Sequence, residues 1–198
     1  MRKKFKFKKL LNEYRSLLSE FKYVEEVFVE ANKEFEIYLG EYCNKNGIGL
    51  PELNKKHSKK VKEIFSDSSA LSLSIKKKQR QEEFDSKDLF RQIARKFHPD
   101  ALETDNPNKD EYEEVFKRAS AAIDNAEWGK LFDIADNYNL NLKKYDDINK
   151  CLKIALTRIK QNIRVKKDSY AYVLYECEDN ANCKENVIKR FLKHLFNV

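Results

Sequence analysis

The clearest regularity in the chain is a run of apolar positions, Leu10, Tyr14, Leu17, Phe21, Val24, Phe28, Ala31, Phe35, Tyr38 and Tyr42, separated alternately by four and three residues. That alternation is the a/d seam of a coiled coil, and it predicts one helix over about residues 8–43. Aromatic side chains at so many seam positions are too bulky for a uniform two-stranded zipper, so the expected partners are unlike helices of the same chain. A dimer through the seam is the alternative. Gly47, free to adopt positive φ, and Pro51, unable to continue a helix, mark the stop.

Residues 52–65 read as a short charged helix with Leu53, Val61, Ile64 and Phe65 on its apolar side, and the Ser-rich, then charged stretch 66–85 reads as a hinge or loop. Tyr145, Ile148, Leu152, Ala155 and Ile159 repeat the three/four spacing and predict a second long helix over 144–166, expected to pair antiparallel with the first. Tyr170, Val173 and Leu174, then Val187, Ile188, Phe191, Leu192 and Leu195, predict two short helices within 169–177 and 185–196. The resulting division is 1–65 for the N-terminal helices, 66–85 for the hinge, 86–142 for a central region and 143–198 for helices packing back on the first.

The central region carries the sharpest pattern. Ser86 is a candidate N-cap for a helix ending at Phe97, because Pro99 disfavours helical geometry at His98. At about 100° per residue, Leu89, Phe90, Ile93, Ala94 and Phe97 fall on one side, while Lys87, Asp88, Arg91, Gln92, Arg95 and Lys96 fall on the other. The polar side thus holds four cations and one anion. After a polar loop, Asp110 with Glu113 suggests a capping-box start for a second helix, whose stripe is Tyr112, Val115, Phe116, Ala119, Ile123 and Ala126. Together they predict an antiparallel hairpin with His98-Pro99-Asp100 at its tip. A further amphipathic helix is expected from Trp128.

Composition narrows the class to all-α. The 198 residues include only 4 Gly and 3 Pro, with 37% charged, which argues against a β-sandwich or a Gly-rich linker protein. No run of eighteen apolar residues occurs, and the basic start lacks the apolar core of a secretory signal, so a soluble, cytoplasmic protein without membrane contact is expected. Cys43, Cys151, Cys177 and Cys183 are too sparse for a disulfide scaffold and read as reduced thiols. The charge of +7 is unevenly placed: 19 Lys/Arg against 14 Asp/Glu in residues 1–85, 8 against 12 in 86–142, and 13 against 7 in 143–198. Lys and Glu are nevertheless mixed along most of the chain, and no nucleic-acid-binding motif is present, so a solvated helical surface is the simpler account.

Leu89-Phe-Arg-Gln-Ile-Ala-Arg-Lys-Phe-His-Pro-Asp100, followed after the loop by Phe116-Lys-Arg-Ala-Ser-Ala-Ala-Ile123, resembles the J domain of DnaJ-like co-chaperones. The resemblance covers about 40 residues of 198. It implies binding to an Hsp70-type chaperone and stimulation of its ATP hydrolysis, with His98, Pro99 and Asp100 as the signature and Lys87, Arg91, Arg95 and Lys96 as the basic face. An unknown client would be selected by the long helices. Gln92 stands where many J domains carry a basic residue, Ala119 and Ile123 replace bulkier ones, and the first J-domain helix would have to come from elsewhere, such as 72–84. The zinc repeats of full DnaJ are missing. With long flanking helices, the chain looks like divergent J proteins of bacteria and their viruses.

No P-loop, zinc-hydrolase, nucleophile-elbow or paired-carboxylate motif is visible, so neither intrinsic enzyme activity nor a cofactor or metal is expected. His57 and His194 have no ligand partners in the pattern, and Trp128 reads as core. Two other classes compete: a structural adaptor in which the J-like hairpin is scaffold only, and a nucleic-acid-binding protein using the arms around Lys3–Lys9 and Lys76–Arg80.

Overall fold

A computed structural model describes residues 2–56, 84–101 and 107–197. The described residues form eight α-helices and one short 3₁₀ helix, with no strand among them, so the all-α class holds. In chain order they are α1 (Arg2–Lys45), α2 (Leu50–Lys56), α3 (Lys87–Phe97), the 3₁₀ turn Pro99–Ala101, α4 (Lys109–Asp124), α5 (Trp128–Asn137), α6 (Tyr145–Lys167), α7 (Tyr170–Tyr175) and α8 (Ala181–Phe196). The remainder of the expected 52–65 helix, the hinge within 66–85, His57, the arm Lys76–Arg80 and most of 72–84 lie outside the described residues. Two compact units are present: Met1–Leu17 with Ile75–Ile159, and Leu18–Ser74 with Lys160–Val198.

α1 starts earlier than its predicted bound because Phe7, three residues before Leu10, extends the seam and is fully buried. No seam position from Leu10 to Tyr42 is exposed. What covers the seam differs along its length. In the first unit Tyr14 lies so close to Gly129 of α5 that a methyl group at that position would overlap its ring, so glycine is required by close approach. Arg15 fastens the same contact, its Nε donating to Asp133 at 2.6 Å and its Nη2 to Asp136 at 3.1 Å and Asn137 at 2.8 Å. In the second unit the rings of Phe28 and Phe21 lie under the Lys166 ammonium, 4.6 and 5.8 Å from it, and Phe35 meets Phe191 of α8 edge-on at 5.0 Å. The seam is therefore a spine for several unlike helices rather than the contact line of a coiled coil.

The antiparallel pairing expected for the two long helices is not found. In the first unit the opening turns lie side by side: Lys3 pairs with Asp146, the Asn149 amide donates to the Lys3 carbonyl at 3.2 Å, and Phe7 packs on Tyr145 at 5.6 Å. In the second unit it is Lys166 and Lys167, near the close of α6, that pair with Glu25 at 3.6 Å and Glu20 at 3.2 Å on α1. Heptad spacing fixes which face of a helix is apolar but not its direction. The 99 residues between α1 and α6 are enough chain to bring α6 back to start beside the start of α1.

The second unit buries Ala31, Phe35 and Cys43 of α1 against Ala171 and Leu174 of α7 and Val187, Ile188, Leu192 and Leu195 of α8. Ser169 caps α7 by accepting from Tyr172 N, and Asn180 caps α8 by accepting from Cys183 N. Cys177 and Cys183 are bonded as a disulfide across that corner, their Cα atoms 5.6 Å apart, which corrects the expectation of four reduced thiols. Spacing alone could not show that the turn after α7 brings the two together. Cys43 and Cys151 take no part in a disulfide, and burial raises the Cys43 thiol above its ordinary range.

Candidate functional site at the tip of the α3–α4 hairpin

α3 buries Leu89, Ile93 and Phe97, the apolar side read from the sequence. It packs antiparallel on α4, with Phe90 stacked on Phe116 at 6.1 Å near its start and Phe97 edge-on to Tyr112 at 5.2 Å at its end. α4 answers with Val115, Ala119 and Ala122, whose small side chains let the two backbones approach. Neither predicted cap is made by a side chain. Ser86 contributes only its carbonyl, to Phe90 N at 2.8 Å, while the Asp85 carboxylate takes Lys87 N at 3.4 Å. Asp110 lies inside the first turn of α4, not at its cap.

α3 ends where the proline rule places its end. His98 is extended, with φ −66° and ψ 135°, and its amide still donates to the Ala94 carbonyl at 3.0 Å. The chain then turns once through Pro99–Ala101, closed by Ala101 N donating to the His98 carbonyl at 2.9 Å. The imidazole lies edge-on against Phe116 at 4.9 Å, and its Nδ1 accepts the Asp100 amide at 3.2 Å. An accepting Nδ1 places the proton of the neutral ring on Nε2. The Asp100 side chain is 92% exposed, with Oδ2 3.7 Å from the same Nδ1. The tripeptide is thus a fixed turn whose histidine is seated on α4 and whose carboxylate is presented to solvent.

The four predicted cations of α3 are all exposed, but they are not equivalent. Lys96 donates to the Tyr138 carbonyl at 3.2 Å, at the C-terminal end of α5, and its ammonium lies 5.8 Å from the Tyr138 ring. Arg91 is 3.8 Å from Asp88 on its own helix, both side chains being more than two-thirds exposed. The structure brings Lys87, Arg91, Arg95 and Lys96 onto one helix with the tripeptide at its end, and it diverts Lys96 toward α5.

Several further residues support this surface, of which the sequence had not singled out Tyr138, Asn141, Lys143, Lys144 or Phe84. Gln92 exchanges two hydrogen bonds with the backbone of Asn141, accepting from its amide at 2.8 Å and donating to its carbonyl at 3.1 Å. That pair folds the α5–α6 loop against α3 and sets Lys143 at 3.9 Å from Asp88 and Lys144 at 3.9 Å from Asp85, adding two cations beside the strip. Tyr138 lies edge-on to Phe97 at 4.8 Å and donates its hydroxyl to Glu111 at 2.6 Å, so α3, α4 and α5 are tied together directly behind His98. Phe84 packs on Trp128 and Phe132 at 5.8 and 5.0 Å, which leaves Trp128 half-buried rather than fully enclosed. An adjacent pair of lysines in a loop was legible in the sequence, but nothing in it showed that the loop folds back.

No protein-family model, no curated protein and no solved structure matches the chain. Among the described residues there is no group of three or more His, Cys, Asp or Glu side chains arranged to hold a metal, and no helix long and apolar enough to cross a membrane.

Proposed function

We propose that the chain is a J-type co-chaperone that binds an Hsp70-type ATPase through His98, Pro99, Asp100 and the basic face of α3, and acts on that partner without chemistry of its own. The observation that supports this reading is the combination at one hairpin tip: the His-Pro-Asp turn held by His98 on Phe116, Asp100 open to solvent, and a row of exposed cations leading to it. A regulator of this kind accelerates hydrolysis by binding the partner's activated conformation more tightly than its resting one; each tenfold in rate corresponds to about 1.4 kcal/mol of differential binding. The cations steer toward an acidic surface, so association weakens as salt rises.

The test is single-turnover ATP hydrolysis by an Hsp70 from the source cell. The expected result is acceleration by the protein, abolished in His98→Gln and reduced several-fold in Arg91→Glu. A rate unaffected by the folded wild-type protein refutes the reading. One observation favours a structural adaptor as the second reading: Gln92 and Lys96 of α3 are bound to the chain's own α5 and its following loop, as scaffold residues would be. That reading expects binding to another protein that is indifferent to His98 and Asp100.

A further inference from the structure

Away from the hairpin tip, the first unit holds a cleft of about 440 Å³ between the opening of α1 and the first turns of α6. Its walls carry five cationic side chains, Arg2, Lys3 and Lys6 from α1 and Lys150 and Lys153 from α6. A single carboxylate, Asp146, shares the lining and pairs with Lys3, while Lys150 is 3.5 Å from Asp147. Arg2, Lys6 and Lys153 have no carboxylate partner among the described residues. Five cations brought together around one concave volume repel one another, and an anion relieves that repulsion.

The lining also contains Asn149, 5% exposed, the one buried polar side chain among the described residues. Its amide nitrogen is engaged by the Lys3 carbonyl, which fixes the orientation of the group, and its Oδ1 is buried without a donor. An acceptor in that state calls for an incoming N–H or O–H. Asp146 lies three residues before it, on the same face of α6. The cleft therefore offers two acceptors amid an excess of cations, a combination that a bare phosphate does not match and a phosphorylated sugar does.

We propose that this cleft binds a small anion carrying two or more phosphate groups and sugar hydroxyls, of the nucleoside diphosphate type. The phosphates meet Arg2, Lys6 and Lys153, and a hydroxyl donates to Asn149. The volume is that of a small-molecule site rather than a track for a long polymer.

The test is calorimetric titration of the full chain with uridine diphosphate and with inorganic pyrophosphate, both without divalent cation. Saturable one-to-one binding of uridine diphosphate, at least tenfold tighter than pyrophosphate, is expected. Lys6→Glu with Lys153→Glu should weaken both at least tenfold. The charge-matched control Lys22→Glu with Lys193→Glu should change neither. Asn149→Leu should bring uridine diphosphate down to the pyrophosphate level without moving pyrophosphate itself. Thermal melts check folding, and Lys6→Gln with Lys153→Gln repeats the charge test with a milder change. Equal losses in the cleft and control variants, a pyrophosphate affinity matching that of uridine diphosphate, or displacement of the nucleotide by single-stranded RNA carrying several chains per strand would each overturn the proposal.

Discussion

Gln92 and Asn141, 49 residues apart in sequence, are joined by two hydrogen bonds in which a side-chain amide takes both backbone groups of the loop residue, at 2.8 and 3.1 Å. The pair gives α3 a neighbour on its polar side. Replacing Gln92 by Ala removes both bonds at a half-exposed site and is expected to lower stability by about 1 kcal/mol, with faster exchange of the Asn141 amide. Gln92→Lys should do the same while adding charge. Urea denaturation together with hydrogen exchange checks both, and an Asn141 amide as protected in the variants as in the wild type would contradict the assigned role.

Tyr138 reports the closure of α3, α4 and α5 through pH. Its hydrogen bond to Glu111, assisted by burial, pushes the phenol up to about 12 from its usual 10. A group whose folded value is raised stabilises fully below its unfolded value, and that contribution is lost as pH rises from about 10 through about 12. Tyr138→Phe keeps the ring packed on Phe97 but removes the hydroxyl. The variant is expected to be less stable at neutral pH and to show a flatter loss of stability over the alkaline window. Parallel denaturation curves at pH 8 and pH 11 measure the difference, and an unchanged alkaline limb would show that the Glu111 bond contributes nothing.

The Cys177–Cys183 bond closes a short loop at the corner between α7 and α8. Loop-closure entropy for a ring of this size amounts to about 2 kcal/mol, which reduction should remove from the second unit. Thiol titration in denaturant is expected to find two reactive groups, Cys43 and Cys151, without reductant, and four with it. Cys177→Ser with Cys183→Ser should reproduce the stability of the reduced protein. Four thiols in the unreduced chain would remove the bond from the description.

The helices of this protein were legible in the sequence because each rests on a local period. The seam from Leu10 to Tyr42, the apolar side of α3, the stripe of α4 and the start of α6 are all set by which residues recur on one face, and that recurrence survives in the structure almost position by position. The end of α3 was legible for the same reason, since Pro99 restricts His98 whatever surrounds it. Ser86 stands at the N-cap position as read, but its helical backbone (φ −82°, ψ −5°) goes with no side-chain cap, and Asp110 falls inside the first turn because α4 begins at Lys109.

The candidate site was half legible. The order His98-Pro99-Asp100 and the alternation that places Lys87, Arg91, Arg95 and Lys96 on one side are properties of a single helix and the turn that ends it. That Lys96 would turn to the Tyr138 carbonyl, that Gln92 would hold Asn141, and that Lys143 and Lys144 would arrive beside Asp88 and Asp85 are contacts between segments more than forty residues apart.

By itself the sequence determined the helices, their apolar faces and the composition of the hairpin tip, because propensity, periodicity and proline geometry act over a few residues. The tertiary structure alone decided the direction in which α6 meets α1, the covering of an apparent coiled-coil seam by different helices, the disulfide and the cationic cleft around Asn149. Each depends on how distant segments pack, and a helical period says which face must be covered without saying by what.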